Sequence, residues 1–178
     1  MKLINSSYEI IEPVDYSLES LYKFVELCGR CCYHSYDKIT PDSATKFVNM
    51  LINSGHVSVL EHATVYLKIH LDSKSTNKFL QEYNYLFEIF KRNPYSVVGE
   101  LSNDRGSKDM YVTTNLRVLY ENVLLDECKQ YICNQPEDMH ERRYTVRFIC
   151  DRGVSHEFVR HRVFSFSQES TRRATMAA

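Results

Sequence analysis

The stretch Asp151-Arg-Gly-Val-Ser-His-Glu-Phe-Val-Arg160-His161-Arg162-Val-Phe-Ser-Phe-Ser-Gln168-Glu169-Ser170-Thr171-Arg172 governs the reading of this chain. Arg152, Arg160, Arg162, Arg172 and the adjoining Arg173 crowd together here with His156 and His161. Ser165, Ser167, Gln168, Ser170 and Thr171 follow Arg162 closely. A guanidinium presents five donors in a rigid fork and matches phosphate better than an ammonium does. Hydroxyls and free backbone amides at a helix start complete a phosphate cradle. From His140 to Arg173 there are eight arginines against four acidic residues, an excess of four positive charges. The whole chain is formally −1, so the remainder carries −5. A solvated basic face and a site for a small polyanion both fit this charge pattern. Val159, Val163, Phe164 and Phe166 lie among the arginines and predict a partly buried segment. An arginine held there needs an anionic partner, from the protein or from a ligand.

Immediately upstream, residues 143–150 alternate and are rich in strand-forming side chains, so they predict a strand with Tyr144, Val146 and Phe148 on one face. Gly153 turns the chain, and a short helix is expected through Ser155–Arg160. Toward the N-terminus, residues 2–11 read as a first strand that Pro13 ends. Ser17 is a candidate N-cap for a helix reaching about His34, with Leu18, Leu21, Tyr22, Val25 and Cys28 on its apolar face. Pro41 suits the first position of the next helix. Phe47, Val48, Met50, Leu51 and Ile52 supply its buried side, and Ser54-Gly55 ends it with a glycine free to turn left-handed.

Next come His56, Ser58, Glu61 and His62, ahead of a strand expected over residues 64–70. Zinc ligation by His56, Glu61 and His62 is one reading of the spacing; side chains satisfied by backbone groups near the core are the other. Lys74 to Lys91 has helical apolar spacing, and Asn93-Pro94-Tyr95 breaks it. Gly99 to Asp109 reads as loop and Tyr111 to Ile132 as a further helix. Helices and mainly antiparallel strands together indicate an α+β fold, helices packed on a sheet.

Composition narrows the class. At 178 residues with 43% apolar and 25% charged side chains, the chain can build a real core. A pI near 6.6 argues against non-specific nucleic-acid binding. The sequence has no apolar run long enough for a membrane helix, and its first residues lack a signal-peptide core, so a cytoplasmic protein is expected. The six cysteines, at 28, 31, 32, 128, 133 and 150, are then reduced thiols. Cys28, Cys31 and Cys32 with His34 lack the second ligand pair of a structural zinc site, and buried packing is the expected role.

Two stretches now stand together. Arg160-His161-Arg162, seven residues and Ser170 resemble the signature of the flavin-dependent thymidylate synthases. The flanks from Arg152 to Val159 and from Ser167 to Arg172 are similar to that family as well, as is Gly55-His56-x-Ser58-x-x-Glu61-His62. The resemblance implies a flavin-dependent thymidylate synthase-like fold. It also implies reductive methylation of dUMP to dTMP, with the carbon from methylenetetrahydrofolate and the hydride from reduced FAD that NADPH regenerates. By position, His56, Ser58, Arg160, His161, Arg162 and Gln168 should contact FAD, Ser58 from another subunit. Glu157, Arg160, Gln168, Glu169, Ser170, Thr171 and Arg172 should form the nucleotide site. Ser170 is better read as a contact than as a nucleophile. A homotetramer with shared active sites and no metal is implied. A related methylase acting on UMP, and a non-catalytic FAD-binding remnant, remain as rivals.

The chain departs from that pattern in two places. Residues 71–142 are expected to be an insert in a single domain, and Asn115-Leu-Arg117 within them is a weak match to a flavin contact. The resemblance also implies a further C-terminal part beyond Arg172, so a truncated chain is expected. Ala174-Thr-Met176 can be written GCA-ACT-ATG; after a T, and shifted by one base, the string reads TGC-AAC-TAT, Cys-Asn-Tyr. A frameshift there is therefore expected. A gene with no family-like codons in another frame would sink the idea.

Overall fold

The computed structural model describes residues 5–32, 34–72, 74–102, 106–161 and 163–169. The expectation of a frameshifted ending falls on residues 173–178, outside them. The described chain is α+β with antiparallel sheets. It divides into two compact units. The first comprises residues 1–13, 22–62 and 144–178; the second comprises residues 14–21 and 63–143. The stretch expected to be an insert lies wholly in the second. Among the described residues, no helix is long and apolar enough to cross a membrane.

In the first unit, strand β1 (Ser7–Ile11) pairs antiparallel with strand β5 (Thr145–Ile149). Tyr8 lies opposite Phe148 and Ile10 opposite Val146, the alternation anticipated for this strand. Helix α1 (Leu18–Cys31) contributes all but its first turn to this unit. It ends short of His34, which has a left-handed φ of 48°. Helix α2 (Ser43–Asn53) begins at Ser43 with Asp42 as N-cap, later than the Pro41 start expected from sequence. The Ser43 hydroxyl occupies the turn before it, lying 3.0 Å from the Thr40 carbonyl and accepting from the Thr40 amide at 2.9 Å. Phe47, Val48 and Leu51 are buried as expected, but Met50 is exposed. Gly29 lets α1 approach α2 closely: a Cβ there would stand 2.7 Å from the Phe47 ring. Gly55 takes its left-handed φ of 73° after α2. A 3-10 turn, Val57–His62, follows, and helix α6 (Arg152–Phe158) comes after β5. Asp151 caps α6, its carboxylate accepting from the Val154 amide at 3.0 Å.

In the second unit, strands β2 (Thr64–Leu71), β3 (Val97–Ser102) and β4 (Lys108–Asn115) form an antiparallel sheet in the order β2-β4-β3. Helix α3 (Asn77–Arg92) lies on this sheet and buries Tyr83, Leu86 and Phe90. It starts three residues later than the spacing predicts, because the Thr76 hydroxyl caps it by accepting from the Phe79 amide. Two expectations fail here. Gly99–Ser102 and Lys108–Asp109, read as loop, lie in β3 and β4, and Tyr111–Asn115 is strand where a helix is predicted. The β4 run is central and buried on both faces from Met110 onward, so it shows no alternation. Periodicity cannot separate such a run from a buried helix. Short helices α4 (Leu116–Glu121) and α5 (Leu125–Cys128) and a 3-10 turn, Lys129–Tyr131, occupy most of the rest of that stretch. Asn115, a weak flavin match by sequence, caps α4 and accepts from the Val118 amide at 3.0 Å.

Candidate functional site

The arginine window lies in the first unit and begins with α6. That helix runs Arg152–Phe158, earlier than the predicted Ser155–Arg160, because Asp151 provides the cap. Phe158 stacks on Phe148 of β5 at 4.9 Å, which sets the helix against the strand. Arg160 follows in a turn and pairs with Glu157 at 2.9 Å and 3.1 Å. Both members are mostly exposed, so the pair contributes about 1 kcal/mol at most. Such a pair orients the guanidinium without holding it back from a phosphate.

The partial burial expected around Arg160 is found at Val159 and Phe166, each 40% exposed, and not at Val163 and Phe164, exposed at 87% and 64%. The side chains that bond to the Glu61–His62 turn are the serines. The Ser165 hydroxyl donates to Glu61 Oε2 at 2.5 Å. Ser167 Oγ and His62 Nε2 are 2.9 Å apart. Cys32 lies near enough to Ser167 and to the Gln168 backbone for both to favour its thiolate, against the larger opposing effect of burial. The Gln168 carboxamide donates to Ser155 Oγ of α6 at 2.7 Å. Glu169 lies 3.7 Å from His34. Residues 165–169 carry no helix or strand, so side chains rather than a backbone ladder tie them down.

Glu61 and His62, weighed in the sequence as zinc ligands, thus bond to two serines. Among the described residues, no cluster of histidine, cysteine and carboxylate groups could hold a metal ion. Burial holds His62 below its ordinary pKa, with the neighbouring Glu61 charge opposing. Burial likewise pushes the Cys28 thiol up to about 12, with Cys31 and Cys32 adding to the shift. Burial, again with Cys31, raises the Cys32 thiol. These are the properties of packed, protonated thiols rather than of nucleophiles.

His56 and Ser58 are exposed at the start of the 3-10 turn that ends in Glu61 and His62. Among the described residues, no hydrogen bond or ion pair joins them to Arg160, His161 or Gln168. The structure therefore connects the two stretches through Glu61 and His62, and leaves His56, Ser58, Arg160 and His161 presented to solvent. Arg162, Ser170, Thr171 and Arg172 lie outside the described residues. Sequence reading missed the roles of Ser165, Ser167 and Cys32. The spacing of the two serines was a usable signal, since side chains two apart in an extended segment share a side. Nothing local could place Cys32 against them.

Comparison with known proteins gives local matches. The chain is similar to a flavin-dependent thymidylate synthase of Mycolicibacterium vanbaalenii, 49% identical over 53 residues, which are 29% of this chain and 21% of that protein. A protein of the same name from Mycobacterium leprae is 45% identical over 53 residues, again 29% of this chain and 21% of that protein. One from Mycobacterium sp. strain KMS is 40% identical over 65 residues, 35% of this chain and 26% of that protein. The chain thus spans about a fifth to a quarter of the length of these curated relatives. A match of 53 or 65 residues cannot contain both Gly55–His62 and Arg160–Gln168. No family model and no solved structure matches.

Proposed function

We propose that this chain holds FAD and dUMP and takes part in flavin-dependent thymidylate synthesis, the reductive methylation of dUMP to dTMP. The observation that carries the reading is the joining of the two motif stretches in one polar cluster: Ser165 to Glu61 and Ser167 to His62. Each stretch alone is a short string of residues. Brought together, they set His56 and Ser58 on one element and Arg160, His161 and Gln168 on others within a single unit. The local identity of 40–49% to proteins named flavin-dependent thymidylate synthase supports the same reading.

The residues fit the groups they would hold. FAD and dUMP are anionic and carry flat rings. The window offers exposed guanidinium, imidazole and carboxamide donors beside the exposed rings of Phe164 and Phe166. Arg160 would hold a phosphate, released from Glu157 at little expense. Gln168, fixed through Ser155, would present its carbonyl and amide edges to the pyrimidine or the flavin. Arg162, Ser170, Thr171 and Arg172 would complete the nucleotide site; His56 and Ser58 would face the flavin. Bound FAD, reduced by NADPH, supplies the hydride, and methylenetetrahydrofolate supplies the carbon. The protein's work is to bring the three partners within reach and to stabilise charge on the pyrimidine. A homotetramer with sites shared between subunits belongs to this reading. The exposed aromatic side chains of the window and of the β1–β5 face are the surface it would cover.

Purified protein loaded with FAD tests the reading. Retained flavin colour and dUMP-dependent release of tritium from C5 of the pyrimidine are expected. Flavin retention with no release under any nucleotide would leave a binding protein without turnover. Release with UMP in place of dUMP would change the substrate. Failure to retain flavin would remove the proposal.

A further inference from the structure

We infer that Glu61 and His62 are positioning residues, a two-point clasp that fixes Ser165–Gln168 and so sets where Gln168 meets the nucleotide. What is bound rests on the proposed function; what does the holding rests on geometry.

A segment without helix or strand needs some other anchor. Apolar burial provides little of it, since Phe164 is 64% and Phe166 40% exposed. The anchors are the alternate residues. Ser165 donates to Glu61 Oε2 at 2.5 Å, a short bond to a carboxylate. Ser167 meets His62 Nε2 at 2.9 Å. One attachment would leave the segment free to pivot. Two attachments, to adjacent residues of one 3-10 turn, remove that freedom. Cys32, just past the end of α1, lies beside Ser167 and the Gln168 backbone and so reports on the segment's position. Gln168 follows Ser167 directly, and its carboxamide reaches Ser155 at 2.7 Å. The clasp thus acts on Gln168 without touching substrate.

Four variants of the full chain test this: Glu61→Ala, Glu61→Gln, His62→Ala and His62→Gln. Glutamine keeps an acceptor near Glu61 Oε2, and its amide end reaches about as far as His62 Nε2. The first readout needs no ligand: the alkylation rate of Cys32, resolved by mass. The thiolate rate, taken from the pH profile of labelling so that a shift in the thiol pKa does not enter, should rise about tenfold in the alanine variants, the scale of one lost hydrogen bond, and stay near the parent rate in the glutamine variants. The second readout is dUMP affinity of the FAD-loaded protein, expected to fall about tenfold with alanine and to recover with glutamine. Unchanged Cys32 labelling in both alanine variants would overturn the clasp. Faster labelling with undiminished dUMP affinity would overturn its positioning role. If the parent chain binds neither FAD nor dUMP, the proposed function fails, while Cys32 labelling still decides the clasp. Should the alanine variants not fold, Ser165→Ala and Ser167→Ala cut the same bonds from the exposed side. Either one labelling at the parent rate would count against the inference.

Discussion

His62 carries the clearest residue-scale consequence. Burial holds its native pKa below the ordinary value, while an unfolded chain takes the proton near the ordinary value, about 6.5. Between those two values the unfolded state binds more protons than the native state. Stability is therefore full above that interval and falls as pH drops through it. Denaturant midpoints measured from about pH 8 down to about pH 5 should decline, and less so in His62→Gln. Equal declines would remove His62 as the source. Arg160 has a different consequence. Its partner Glu157 is exposed and weakly bound, so nearly all of a phosphate contact would appear as affinity. Arg160→Ala should weaken dUMP binding by about 1.5–3 kcal/mol, read by calorimetry; an unchanged dissociation constant would exclude the contact. The residue types in the window announced the anion chemistry. The pairings of Glu61 with Ser165 and of His62 with Ser167 were not legible, because each pair lies about a hundred residues apart.

At the scale of elements, α1 and α2 are joined by one buried charge. Glu26 is 1% exposed. Its Oε1 accepts from Arg30 Nε and Nη2 at 3.1 Å and 2.8 Å, and its Oε2 accepts from Ser43 at 2.7 Å. The Arg30 guanidinium in turn lies 4.4 Å over the Phe47 ring. Removing one partner strands a buried charge. Glu26→Ala should lower unfolding free energy by about 3–5 kcal/mol in chemical denaturation, and Glu26→Gln by less, since the amide can still bond Ser43. A loss below about 1 kcal/mol would show that the cluster adds little. The apolar face of α1 was legible from its period, as was the end of α2 at Gly55. The start of α2 was not, since the Ser43 hydroxyl competes for the turn that Pro41 suggested. Strand β4 was misread as helix because burial on both sides erases the alternation that marks a strand.

For the whole molecule, the apolar side chains left outside matter most. Tyr8, Ile10 and Phe148 share one exposed face of the two-stranded β1–β5 sheet, and Phe158 stacks beside them. A two-stranded sheet is marginal in water unless that face is covered. Self-association is the expected cover, in line with the proposed homotetramer. Sedimentation should show assemblies larger than one chain, and Tyr8→Glu or Phe148→Glu should reduce their size. A parent chain that sediments as a monomer would remove this reading. The sequence by itself determined the α+β character, the ends of several elements and the chemistry of the arginine window, because capping, period and charge are local properties. Tertiary structure alone decided how far the window's apolar side chains are exposed, that β4 is a strand, and that Glu61 and His62 bond Ser165 and Ser167. Those outcomes depend on groups far apart in the chain, and only the folded backbone sets the distances between them.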